Sequence, residues 1–237
     1  VRLENIVWDT REPARLGRFW AAALDAEVIT DEPDGVEARL RLGDDAFLDL
    51  CFPRVASPST SPARLHLDLS GGARQREVVQ RLLGLGAAPA DIGQGSVPWV
   101  VLSDPEGGAF CVMEDREVYR GTGPIAALPL DSADPERDAA FWSMITGWTP
   151  CAGMPGAATL RHPYGVGPLL ELCPEPGPKR GKNRLHLDVR RGPGDDDVID
   201  RIRELGAVAL SQPGELPWLV FADPSGNEFC VLEPDGS

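Results

Sequence analysis

Two short stretches carry residue types that do chemistry, at a spacing that lets them act together. Arg64-Leu65-His66-Leu67-Asp68-Leu69 recurs as Arg184-Leu185-His186-Leu187-Asp188-Val189. Alternation along a strand puts the leucines on one face and each His-Asp pair on the other. Histidine exchanges protons near neutral pH, so His66 or His186 reads as a general base, with Asp68 or Asp188 orienting it. The bland reading stays open beside it: a cavity histidine hydrogen-bonded to its surroundings. Each motif is followed downstream by a cysteine, in Phe110-Cys111-Val112 and Phe229-Cys230-Val231. A thiolate there would bind zinc, and a thiol would be a small buried hydrophobe; no Lys or Arg in the motif activates it.

These residues sit in a repeat. Val97-Pro98-Trp99 leading to Asp104-Pro105-Glu106-Gly107 returns as Leu216-Pro217-Trp218 leading to Asp223-Pro224-Ser225-Gly226, an offset of 119 residues. The His motif returns at 120; Phe19-Trp20 returns as Phe141-Trp142, and Cys51 as Cys173, both at 122. Four blocks in one order make two homologous halves, 1–118 and 122–237, joined at Arg120-Gly121-Thr122-Gly123-Pro124. The charge divides the same way. The 237 residues carry 23 basic and 37 acidic side chains, and residues 1–120 and 121–237 each stand at −7. Such acidity repels phosphates and excludes nucleic acid as a partner. No apolar run is long enough for a membrane span, and no signal peptide is expected in the opening residues Val1-Arg2-Leu3-Glu4-Asn5. Five cysteines are too few and odd in number for a disulfide framework, so a cytoplasmic, reduced protein is expected. Phosphate-binding glycine loops, nucleotide fingerprints and a Ser-His-Asp order are absent from the sequence.

The positioning elements read alike in both halves. A strand (6–9; 125–130) leads to a helix opening at Glu12-Pro13 or Asp134-Pro135, with proline in its first turn. Three strands follow, ending with 47–52 and 169–173. A strand through the histidine comes next, then a helix (75–85; 196–205) ending at Gly86 or Gly206. A hairpin (99–102 and 110–113, with its counterpart) closes each half. The class is α+β, with four βαβββ units. Trp20 and Trp142 lie on apolar helix faces and are expected in the core.

This pattern, on the residues quoted, resembles the vicinal oxygen chelate superfamily and its glyoxalase-like and bleomycin-resistance-type members. The resemblance implies two half-barrel domains whose concave faces hold a ligand, and in metal-binding members a divalent ion such as zinc, iron or manganese. It makes His66 and His186 candidate ligands. The closing-strand glutamate of those members falls on Cys111 and Cys230. The first-strand ligand falls on Asn5 in one half and Ala127 in the other, so Asn5, His66 and Cys111 are expected together. Glu114 and Glu233 lie an odd step away and should face elsewhere. The metal candidates are therefore His66, Cys111 and His186, and no cofactor is expected firmly. Asp49 and Glu171, beside Cys51 and Cys173 on equivalent strand faces, line the cavities or face solvent at a strand end, and Trp99 and Trp218 are read as packing residues or as stacking platforms for the ligand.

Two functions follow. One is a metal-free binding protein holding a small organic ligand, with the acidity favouring a cation. The other is an enzyme of the superfamily, a lyase, isomerase or dioxygenase, metal-assisted through His66 or using a His-Asp base. The duplication makes the chain its own pseudo-dimer, with a homodimer as the alternative.

Overall fold

The computed structural model describes residues 1–43, 46–195 and 197–235. The first unit runs β1 (Arg2–Trp8), α1 (Pro13–Leu24), β2 (Glu27–Glu32), β3 (Gly35–Arg41) and β4 (Phe47–Pro53). The second runs β5 (Asp68–Gly72), α2 (Gln75–Leu85), β6 (Ala88–Pro89), β7 (Val100–Ser103) and β8 (Ala109–Glu114). A 3-10 turn, Glu117–Tyr119, joins the halves. The third unit is β9 (Ile125–Ser132), α3 (Pro135–Thr146), β10 (Thr149–Cys151), β11 (Ala158–Arg161) and β12 (Leu169–Pro174). The fourth is β13 (Leu185–Arg190), α4 (Val198–Glu204), β14 (Val208–Ala209), β15 (Trp218–Ala222) and β16 (Glu228–Leu232). The expected start of α4, Asp196, lies outside the described residues. The α+β class and the four βαβββ units are as the sequence indicates.

The strands do not pair within the halves. One eight-stranded sheet has the order β14-β15-β16-β13-β1-β4-β3-β2, and the other β10-β11-β12-β9-β5-β8-β7-β6. The first sheet therefore joins units one and four, and the second joins units two and three. This corrects the expectation that each half closes its own half-barrel. At the centre of the first sheet β1 runs antiparallel to β13, with Asn5 opposite Asp188 and Val7 opposite His186. At the centre of the second, β5 meets β9 with Asp68 opposite Ala127. There the strand starts only at Asp68, not through His66 as expected. The residue facing His66 is Pro129, which has no N–H to give; upstream of Asp68 the ladder is reduced to an isolated bridge at Leu65 and Leu130, with His66 N–H donating to Pro129 O at 3.3 Å and Asp131 N–H to Arg64 O at 2.7 Å.

The leucine faces of both sheets meet in one core. Leu65, Leu67 and Leu69 are buried there with Leu185 and Leu187. Helices α1 and α3 bridge the sheets: Trp20 packs on Phe110 at 5.0 Å and Trp142 on Phe229 at 5.3 Å, edge to face. Both tryptophans are core residues, as their helical spacing indicates. The Asp-Pro-x-Gly turns are structural. Asp104 Oδ1 accepts from the N–H groups of Glu106 and Gly108, and Asp223 Oδ1 from those of Ser225 and Asn227. The glycines at the turn ends, Gly107 and Gly226, take φ of 84° and 87°, a region that favours glycine. With the cores packed on the leucine faces, His66, Asp68, His186 and Asp188 are left on the opposite faces.

Candidate functional site

The outer face of the first sheet forms an open cavity of about 850 Å³. Asn5 comes from β1, Cys51 from β4, His186 and Asp188 from β13, Trp218 from β15 and Cys230 from β16. His186 Nε2 stands 3.4 Å from Asp188 Oδ1. Neither that oxygen nor His186 Nδ1 has a hydrogen-bond partner. Asn5 Nδ2 donates to the other oxygen, Asp188 Oδ2, at 3.1 Å. Burial pulls the His186 imidazole below its ordinary range and pushes the Asp188 carboxyl above its own, each partly opposed by the other's charge. Burial, reinforced by Asp188, pushes the Cys230 thiol far up. The imidazole is therefore neutral and the thiol protonated near pH 7. At the rim Lys182, from the basic loop between β12 and β13, pairs with Asp9.

The matching face of the second sheet is filled. His66 Nε2 stands 3.4 Å from Asp68 Oδ1, repeating the other pair. Against them lies the connection between the halves. Tyr119 is buried with Cys111, Met113, Ala127 and Leu169, and Trp99, Val101 and Cys151 pack on this group. The Tyr119 hydroxyl donates to Glu171 Oε1 at 3.4 Å. Glu171 is fully buried and its Oε2 has no partner. Burial first, and then the Asp68 charge, push its carboxyl up to about 7. Arg116 donates to Glu114 and holds its guanidinium 5.5 Å from the Trp99 ring.

Pairing across the halves redistributes the expected residues. Asn5 joins His186, Asp188 and Cys230, not His66 and Cys111; Ala127 lies beside Asp68 instead. The register also corrects the match of Cys51 with Cys173. Asn5 pairs with Asp49 and Val7 with Cys51, whereas Ala127 pairs with Leu169 and Pro129 with Glu171. Cys51 and Glu171 are therefore the equivalent positions, 120 residues apart, and Asp49 corresponds to Leu169. Asp49 gives its oxygens to Arg39 at 2.8 and 2.7 Å. Trp218 stands on the open cavity and Trp99 on the filled face, where its indole N–H donates to Gln94. Glu114 and Glu233 belong to neither histidine cluster, but Glu233, expected to face elsewhere, lines the open cavity where its strand ends. His162 sits in a turn, accepting from the Tyr164 N–H. The sequence reading missed Tyr119 and Arg116. A tyrosine two residues before Gly121-Thr122-Gly123 was the available signal, and a linker reading hides it.

The donor chemistry fits a divalent ion. Ligand atoms of His186, Asp188 and Cys230 lie within 4.8 Å of one another, and so do those of His66, Asp68 and Cys111. Nitrogen, oxygen and sulfur donors of this mix suit zinc. The unpartnered Asp188 Oδ1 and Asp68 Oδ1 are buried oxygens that a cation would satisfy. The aspartates thus stand as third donors, a role that the residue pattern alone did not assign them.

Comparison with known proteins agrees with the fold. The glyoxalase-like domain family matches residues 5–113 and again 127–232. Among solved structures, glyoxalase I from Zea mays is similar at 17% identity and a TM-score of 0.65, covering 98% of this chain and 92% of that one. A dioxygenase-family protein from Bacillus subtilis is similar at 15% identity and a TM-score of 0.64, covering 100% and 86%. No curated protein matches by sequence. At such identities the likeness is one of fold.

Proposed function

The chain belongs to the glyoxalase-like domain family, in two copies, and on that premise we propose that it is a binding protein that holds a small, positively charged organic ligand in the open cavity. The observation that carries this reading is the buried, partly unsatisfied Asp188 carboxylate at the floor of an acidic cavity. Seven of the cavity's lining residues are acidic and two are basic. Such a cleft concentrates cations. Trp218, 39% exposed, supplies a ring face at the rim. The cavity volume lies in the range of roughly 300–1,000 Å³ that encloses small ligands. Binding of this kind needs no metal. The reading includes a cytoplasmic setting, which five free thiols support, and one chain serving as its own pseudo-dimer.

Phenethylamine and its neutral analogue ethylbenzene, titrated with tryptophan fluorescence and calorimetry as readouts, test it. Phenethylamine should bind and Asp188→Asn should weaken it about tenfold, the ~1.4 kcal/mol expected of a charge-assisted contact. Equal affinity for the neutral analogue, or no binding by the amine, overturns the reading.

A second reading rests on the donor cluster. His186, Asp188 and Cys230 would hold a divalent ion, which would supply Lewis-acid polarisation of a substrate oxygen. The chain's own part would be to orient that substrate against Trp218 and to keep His186 neutral, the form whose ring nitrogen can hold the ion. Cobalt(II) added to the protein should give a sulfur-to-metal charge-transfer band that Cys230→Ser weakens. Protein purified without chelator and carrying less than about a tenth of an equivalent of metal would sink this reading, because affinity sustains such sites.

A further inference from the structure

The two outer faces are built from equivalent residues, and one of them is occupied by the chain itself. On the filled face the connecting segment lays a guanidinium and an aromatic ring side by side. Arg116 Cζ lies 5.5 Å from the Trp99 ring centroid and 5.8 Å from that of Tyr119, and Arg116 Nε donates to Glu114 Oε1. Both ring distances fall within the ~6 Å reach of a cation–π contact. The Tyr119 ring fills the space over Cys111 and Ala127, with its polar tip at Glu171.

Each wall of that seat has a counterpart on the open face. Val100 pairs with Val112, and Leu219 with Val231, so Trp99 corresponds to Trp218 and Glu114 to Glu233. Trp218 and Glu233 both line the open cavity. Cys111 corresponds to Cys230, Ala127 to Asn5 and Glu171 to Cys51, and those three line it too. Trp218 is 39% exposed and Trp99 half-buried, and the Glu233 side chain is 49% exposed, with Arg191 Nη1 donating to both of its oxygens at 3.4 and 3.1 Å and leaving their outer lone pairs toward the cavity. Asp235, which follows, turns away to Arg2 and Arg190.

Building on the cation-binding reading, we propose that the open cavity is specific for arylalkyl guanidinium compounds, with the guanidinium seated between the Trp218 indole and the Glu233 carboxylate, and the aryl ring over Cys230 and Asn5. The connecting segment is an internal copy of that ligand on the opposite face. A guanidinium suits this seat better than an ammonium does. It is planar and weakly hydrated, stacks on an indole, and offers two parallel N–H groups to a carboxylate.

The test compares phenethylguanidine with phenethylamine by calorimetry on the whole chain. Phenethylguanidine is expected to bind at least tenfold tighter. Trp218→Leu and Glu233→Gln should each erase that preference, while Asp188→Asn should weaken phenethylamine about tenfold and phenethylguanidine, whose cation sits at Glu233, by less. Both substituted side chains are well exposed, and an unchanged melting temperature establishes that the variants fold. Amine binding with no guanidinium preference, or a preference that survives both variants, overturns this proposal and leaves the cation-binding reading intact. Failure of both compounds to bind overturns the two together.

Discussion

Tyr119 and Glu171 meet on the face of a sheet to which neither half alone gives all its strands. The phenol donates across 3.4 Å to a carboxylate with no exposed surface. That carboxylate keeps its proton up to about pH 7 in the folded chain, because burial and the nearby Asp68 charge disfavour the anion.

The pH dependence of stability follows. Glu171 has a raised folded value against an ordinary unfolded one near 4.5. Below the unfolded value both states hold the proton and nothing changes. Between that value and about 7 the unfolded chain releases the proton first, so stability falls as pH rises; above 7 the loss is complete. A shift of this size is worth on the order of 3 kcal/mol. Urea unfolding at pH 5 and at pH 8 should show the loss, and Glu171→Gln should remove most of it. A wild-type and a variant profile that run parallel would refute the assignment to Glu171.

Removing Tyr119 should open the filled face. Tyr119→Ala is expected to cost about 3–5 kcal/mol, as for other buried aromatic rings cut to alanine. The vacated space keeps the shape of a phenol, with Glu171 as acceptor, so 4-methylphenol should raise the melting temperature of the variant and leave that of the parent unchanged. Equal response in the two proteins would show that the compound binds elsewhere.

Much of this organisation could be read from the residues. The His-x-Asp segments, the Asp-Pro-x-Gly turns and the tryptophan helices have local signatures, and all but the first His-x-Asp strand, which starts only at Asp68, lie where alternation or spacing indicates. Partner choice among four similar units has no local signature. β1 could face β5 or β13, since both carry the same Arg-Leu-His-Leu-Asp motif, and only packing between the sheets selects β13. The Cys51 and Cys173 match is misleading for a related reason. Two identical residue types drew the repeats together at an offset of 122, while the hydrogen-bond register places Cys51 with Glu171. An even shift of two preserves the face and so leaves no trace in the apolar pattern.

Cys51 offers a direct probe of the open cavity. Burial, with Glu37 and Asp188 adding like charge, pushes its thiol far above the ordinary value. The thiolate is the reacting form. Alkylation by iodoacetamide, followed by peptide-resolved mass spectrometry, should therefore rise about tenfold per pH unit through pH 10 without levelling. Phenethylguanidine should slow it at every pH by covering the cavity. A plateau below pH 9 would contradict the burial-driven shift.

Two arginines of the repeated motif reach across the halves, and their partners differ in charge. Arg184 Nη2 donates to Glu106 Oε2 at 2.6 Å, with both side chains largely buried. Glu106 also accepts from the Thr10 hydroxyl and the Glu12 N–H, so this one carboxylate ties unit four to the turn of unit two and to the start of α1. Arg64 instead meets neutral groups, with Nε donating to Asn227 Oδ1 at 3.0 Å and Nη2 to the Asp131 carbonyl. Taking one partner from a buried ion pair leaves a charge uncompensated and costs roughly 3–5 kcal/mol, whereas a neutral acceptor that loses its donor costs about 1–3 kcal/mol. Arg184→Met should therefore lower the urea midpoint more than Arg64→Met, with the slope unchanged in both. Adding Glu106→Gln should recover part of the Arg184→Met loss and none of the Arg64→Met loss. A coupling of equal size for the two arginines would mean that Glu106 is not the partner that makes Arg184 the stronger tie.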